Sequence, residues 1–180
     1  MSNRVIMIAI GVVLAVGIAW GLKRMASHTP PIHDISTDTD DPPVFVAVLP
    51  LRASAKNSAS YGGSRVAAIQ HSAYPDIAPV HLALPRAAAF HRAHDAAVAM
   101  GWTMVASDSA AGRIEATATT RVFRFKDDIV IRVRGDGAGS RVDVRSVSRI
   151  GRGDLGANAA RIRAYVARLQ DSRPGGTSAR

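Results

Sequence analysis

The chain has 180 residues, 47% hydrophobic and 21% charged, the balance of one globular domain with an extension rather than of a disordered polymer. It contains no cysteine, which excludes disulfides, thiol nucleophiles, covalent haem attachment and Cys-ligated zinc. The net charge of +9, carried almost entirely by arginine, favours contact with anionic surfaces such as phospholipid head groups or nucleic acid, but names no partner by itself.

The first predicted element is an anchor. Val5 to Leu22 is an uncharged apolar run bracketed by Arg4 on one side and Lys23 and Arg24 on the other. It is long enough for a membrane-spanning helix, which needs roughly 20 apolar residues, and Trp20 stands where an indole suits the interface. A cleavable signal peptide is the competing reading; its apolar region is shorter, and Gly17 and Ala19 make a poor cleavage site. Residues 1–24 are therefore expected to stay as a single-pass anchor. The flanking charges barely discriminate its orientation and by themselves lean toward a cytoplasmic domain.

Residues 25–73 read as an extended linker that partly wraps the domain, punctuated by five prolines between Pro30 and Pro50, with Phe45 to Leu51 as its one strand candidate. Residues 74–170 read as the globular domain. Val80, Leu82 and Leu84 alternate as a short strand, and Pro85 opens a helix with Phe90, Ala93, Ala97 and Met100 on one face, stopped by Gly101. Four runs of period two follow: Trp102 to Asp108, Arg113 to Phe125, Asp127 to Arg134 and Arg141 to Ile150. After Gly156 a last helix carries Ile162, Tyr165, Val166 and Leu169 on one face. Residues 171–180 read as a disordered tail. The order β-α-β-β-β-β-α predicts an α+β domain: an antiparallel sheet of four to five strands with two helices on one face.

Strand parity assigns the faces. Ile114, Ala116, Ala118, Ile129, Ile131, Val133, Val142 and Val144 are expected to point toward the helices, with Ser146 and Ser148 packed under the last one. Arg113, Glu115, Thr117, Thr119, Arg121, Arg132, Arg134, Asp143, Arg145 and Arg149 then form a polar, arginine-rich opposite face. Trp102 and Phe123 fall on or near the core parity.

The stretch Arg145-Ser146-Val147-Ser148-Arg149-Ile150-Gly151, followed by Asp154, Gly156, Asn158, Arg161 and Ile162, closely resembles the hallmark of a bacterial family of unknown function, DUF1499. Phe125-Lys126-Asp127-Asp128, Asp41-Pro42-Pro43 and Tyr74-Pro75-Asp76-Ile77-Ala78-Pro79 resemble its other motifs. Many members carry a cysteine soon after the early prolines, where this chain has Val44 and Phe45. The resemblance implies an envelope setting and tips the topology toward a periplasmic domain held at the inner membrane. No activity comes with it.

The most chemical-looking cluster is Arg145, Ser146, Ser148, Arg149, Asp154, Asn158 and Arg161, at a strand end, a Gly-rich loop and a helix start, with Arg145, Arg149, Asn158 and Arg161 as the anion-binding candidates. Guanidinium groups beside a helix N-terminus suit a phosphate or carboxylate. The alternative is structural: Asp154 or Asn158 caps the helix and pairs with an arginine. Asp127 and Asp128 suit a turn and a cross-strand salt bridge, or acid/base chemistry if a neighbour raised one pKa. Asp34, Asp38, Asp40 and Asp41 read as a solvated acidic segment, without the spacing of a calcium loop. His91 and His94 lack a third metal ligand, and phosphate loops, dinucleotide fingerprints and zinc motifs are absent, so neither a cofactor nor a metal is expected. The arginine face lacks interleaved aromatics, which argues against nucleic acid. The expected function is a membrane-anchored, non-enzymatic binding module for an anionic ligand or an envelope protein. A hydrolase-like enzyme acting on envelope material, built around Asp127, Asp128 and Asp154, is the alternative.

Overall fold

The computed structural model describes residues 7–8, 10–13, 16–17, 29–120 and 123–171. The pieces between 7 and 17 are helical; most of the expected anchor, and the tail beyond Asp171, lie outside the described residues. Among the described residues no helix is long and apolar enough to cross a membrane.

The elements are β1 (Asp34–Ser36), a 3-10 turn (Leu49–Arg52), α1 (Gly63–Ala73), β2 (Val80–Leu82), α2 (Arg86–Ala99), β3 (Thr103–Asp108), β4 (Arg113–Thr119), β5 (Lys126–Asp136), β6 (Gly139–Ser148) and α3 (Ala157–Gln170). They form one antiparallel sheet in the order β1-β6-β5-β4-β3, with β2 pairing β6 on the same side as β1. The α+β class and the meander β3 to β6 are as the periodicity predicts. The sheet has six strands rather than four or five, and between residues 29 and 171 three helices are described rather than two.

The inward parity holds. Ile114, Ile131 and Val144 stand side by side across β4, β5 and β6, each without solvent exposure. Against them α2 packs Phe90, Ala93 and Ala97 and α3 packs Ile162, Tyr165 and Leu169. Alanine, the best helix former, dominates α2, and Gly101 at φ +71° lets the chain leave it in the left-handed conformation. The Tyr165 ring stacks on Trp102 at 5.4 Å while its hydroxyl donates to the Ala93 carbonyl at 3.0 Å, so one residue ties α3 to α2.

The segment expected as a linker is part of the domain. Ile32 and Ile35 enter the main core, while Phe45 and Val48 form a second small core on the opposite sheet face with Val130 and Val147. Phe45 to Leu51 is not a strand: the chain turns there and ends in the 3-10 turn. The physical reason is Glu115, whose fully buried carboxylate accepts the N–H groups of Val46, Ala47 and Val48 at 3.0, 3.0 and 2.9 Å and so takes the donors a strand would spend on a neighbour. β4 stops at Thr119 rather than Phe125, because Thr120 closes a loop: its N–H donates to the Phe125 carbonyl at 2.9 Å and its side-chain hydroxyl oxygen accepts the Phe125 N–H at 2.9 Å.

Candidate functional site

The face opposite the helices carries the expected arginines, but it is covered by residues 38–60 and its charges are matched. The buried Arg145 guanidinium donates Nε and Nη2 to both oxygens of Asp34 at 2.9 and 2.7 Å, and bonds the carbonyls of Pro43 and Ala59. Phe45 and Tyr61 flank it with ring centroids at 5.1 and 5.4 Å. Arg149 makes a two-pronged pair with Asp128 at 2.9 and 2.8 Å; Asp128 also takes Arg52 and the Thr117 hydroxyl. Farther along, Arg132, Arg134 and Arg141 share Asp38 and Asp143, and the first two also bind Asp41. The hydrogen bond from Arg134 and the nearby Arg132 charge hold the Asp41 carboxyl below its ordinary range. The acidic run is therefore no solvated linker: Asp34, Asp38 and Asp41 are the counter-charges of the arginine face.

On the helix face, Asn158 accepts from the Ser146 hydroxyl at 2.7 Å and donates to Ser148 Oγ and the His33 carbonyl at 2.9 and 3.0 Å. Arg161 pairs with Asp127 and also bonds Ser146 and Asn158. Asp154 accepts the N–H groups of Gly156 and Asn158 at 2.8 and 2.7 Å, so the chain's own carboxylate occupies the start of α3. The four residues expected to share an anion do not converge. Arg145 and Arg149 lie on one sheet face and Asn158 and Arg161 on the other, and each arginine is neutralised by an aspartate of the chain. Asp127 and Asp128 likewise point to opposite faces, which separates the groups the hydrolase reading needs together.

What stays open is an apolar groove of about 540 Å³ between the β4–β5 loop and the β6–α3 loop. Its rim is formed by Phe123, Phe125, Ile150 and Leu155, respectively 68%, 46%, 39% and 43% exposed, with Ala157 and Ala160 along one wall and Asp127 and Ser148 at the polar floor. Phe123 is thus a rim residue rather than a core one, stacked on Phe125 at 5.5 Å. Arg124 and Leu155, the two non-glycine residues with positive φ among those described, sit at this rim, a conformation that costs roughly 1 to 2 kcal/mol each and gathers at ligand clamps. The volume falls within the roughly 300 to 1,000 Å³ of small-molecule sites. None of these four rim residues belonged to the expected site; the signals were the Phe-Arg-Phe-Lys alternation at a turn and leucine among glycines.

A narrower cleft of about 330 Å³, lined in part by His33, Asp34, Lys56, Asn57 and Arg65, has part of its polar lining spent: Asp34 holds Arg145, and Asn57 donates to the carbonyls of Ser148 and Gly151. No group of three or more His, Asp or Glu among the described residues is placed to hold a metal.

These features define an α+β domain whose buried polar residues build its own architecture and which carries an open apolar groove. The chain belongs to the family described as Protein of unknown function (DUF1499), which matches residues 34–169, from β1 to the last turn of α3. Among curated proteins none is similar enough to match.

The three tyrosines supply a pH test of this packing. Burial, with a smaller contribution from Asp34, pushes the Tyr61 phenol up to about 12; burial and then Asp154 raise Tyr74, and burial raises Tyr165. A raised phenol keeps its proton in the fold above about pH 10 while the unfolded chain loses it, so stability falls as pH rises through that range. An ultraviolet phenolate titration is expected to show no tyrosine ionising near pH 10 in the folded protein. A phenol titrating there with the fold intact would contradict the packing of that residue.

Proposed function

We propose that the chain is a non-enzymatic binding domain, held at the inner membrane by residues 1–24 with the domain in the periplasm, that takes an amphiphile with one apolar chain and an anionic group. The observation that carries this reading is the groove: four large apolar side chains stand exposed around one depression, more than scattered surface residues require. Arg124, Lys126 and Arg152 are exposed beside it and make no ion pair among the described residues, so an anionic group at its mouth meets cations not already spent. Ser148 Oγ is occupied by Asn158 and Asp127 by Arg161, so the floor offers no free nucleophile and base.

Native mass spectrometry of the full chain released from detergent tests this. The parent is expected to retain one amphiphile per chain, and Ala160→Trp, which fills the groove from the exposed side of α3, is expected to lose it with an unchanged melting temperature. Equal lipid retention by both, or none by the parent, would sink the reading.

A further inference from the structure

The groove lies at the end of the domain where the N-terminal chain enters. Ile32 N–H bonds Pro30, Ser148 N–H bonds the His33 carbonyl, and His33 Nδ1 lies 3.3 Å from the Arg152 carbonyl, so residues 30–33 run beside the β6–α3 loop. The approach is close: a β-carbon on Gly153 would come within 3.3 Å of Pro31 Cα, and one on Gly156 within 3.7 Å of Thr29 Cγ2. Five residues separate Arg24 from Pro30, which limits any separation of the anchor's end from this loop to about 20 Å.

The same end carries exposed Lys56, Arg124, Lys126 and Arg152 around the apolar rim. Lys56 belongs to the group because its N–H bonds the Arg149 carbonyl, and Arg149 N–H in turn bonds the Lys126 carbonyl. The carboxylates here are engaged within the fold: Asp127 by Arg161, Asp128 by Arg52 and Arg149, and Asp154 by the start of α3. Asp108, Asp136 and Asp41, toward the opposite end, are likewise paired, with Arg113, His81, and Arg132 and Arg134. An apolar tip ringed by exposed cations that make no ion pair among the described residues fits an anionic bilayer surface.

We infer that this end of the domain docks on the anionic phospholipid surface of the membrane that holds the anchor, with Phe123, Phe125, Ile150 and Leu155 inserted and the groove opening onto the lipid. The inference rests on the anchor and groove reading above and adds its orientation and the source of the amphiphile. Phe123, Ile150 and Leu155 reach the acyl boundary, while Lys56, Arg124, Lys126 and Arg152 stay at head-group level. Each cation strengthens the contact by roughly fivefold, at about 1 kcal/mol per charge.

The absence of cysteine makes the test direct, since one introduced thiol is the only labelling site. Full-length single variants Phe123→Cys, Leu155→Cys and Ala138→Cys, the last at the exposed β5–β6 turn, would carry a nitroxide in vesicles of three parts phosphatidylcholine to one part phosphatidylglycerol. Power-saturation spectroscopy is expected to find labels 123 and 155 reached by oxygen and shielded from an aqueous nickel chelate, and label 138 in water. Adding Arg124→Glu, Lys126→Glu and Arg152→Glu, with the fold checked by circular dichroism, is expected to return label 155 to water. Labels 123 and 155 as open to nickel as 138 would overturn the docking. Shielding from both reagents alike, unchanged in pure phosphatidylcholine, would overturn it in favour of a protein partner. An alkaline carbonate wash reads the anchor separately: a retained chain with an aqueous rim sinks docking alone, and a released chain sinks the anchor reading and docking with it. The mass-spectrometric groove test is independent of both.

Discussion

Arg145→Ala is expected to destabilise the domain by roughly 3 to 5 kcal/mol, the usual result of removing one member of a buried ion pair. The side chain is 2% exposed and every direction of its guanidinium is used: Asp34 on two nitrogens, two backbone carbonyls, and aromatic rings on its faces. Truncation leaves the Asp34 carboxylate buried without its counter-charge and strips Pro43 and Ala59 of a donor. Against a total stability of about 5 to 15 kcal/mol, that is a large fraction. Lysine cannot substitute, because a point charge on a flexible stem does not reproduce the two-pronged contact. Joint replacement of Asp34 and Arg145 by leucine is expected to recover part of the loss, since an apolar pair carries no stranded charge. Urea melts of the three variants check this; an Arg145→Ala midpoint within about 0.5 kcal/mol of the parent would mean that the residue is a surface arginine.

The second large effect is expected from Glu115→Ala. Three backbone N–H groups, those of Val46, Ala47 and Val48, end on one carboxylate, which Arg113 Nε also approaches at 3.1 Å. Each N–H left buried without a partner costs about 1 to 3 kcal/mol, so the segment would sooner leave the sheet than stay. Loss of roughly 3 kcal/mol or more is expected, with Phe45 and Val48 withdrawn from their small core. Hydrogen exchange at residues 46–48 distinguishes the mechanism: faster exchange there than in β5 identifies local release, whereas unchanged protection would show that the carboxylate does not hold the turn. Glu115→Gln, which turns one acceptor into a donor, is expected to fall between parent and alanine.

The strands were legible where one side of the sheet meets helices, because Ile129, Ile131 and Val133 repeat at period two and burial enforces that period. α1 was not: only Val66, Ile69 and Gln70 of its inner surface turn toward the domain, and no side chain caps its start. The arginine face was legible in its parity but not in its solvation. Three of its counter-charges, Asp41, Asp38 and Asp34, lie 91 to 111 residues away in sequence, and no local pattern reveals a pairing at that distance. Asp154, two residues before the Gly156 that caps α3, accepts the Asn158 N–H, and Asp127 and Asp128 pair with arginines brought from α3 and from the 3-10 turn and β6 edge. The groove escaped because Phe123 and Phe125 extend the alternation of β4, and only the loop closed by Thr120 shows that they have left the sheet.

The pairing of β1 with β6 has a consequence for biogenesis. Asp34 meets Val147 in the sheet, so the first strand emerges from the ribosome more than a hundred residues before its partner exists. At about 5 to 20 residues per second, that is a wait of roughly 6 to 20 s during which Asp34, Ile35 and Ser36 have no strand to join. β2 waits for the same partner, since Val80 pairs Val142. The meander β3 to β6 needs only contacts between strands adjacent in sequence, whereas β1 and β2 must pair a strand distant in sequence. A chain interrupted before β6 therefore lacks both the strand that β1 and β2 pair with and the α3 helix that follows it, and the segment preceding the domain has no edge to join.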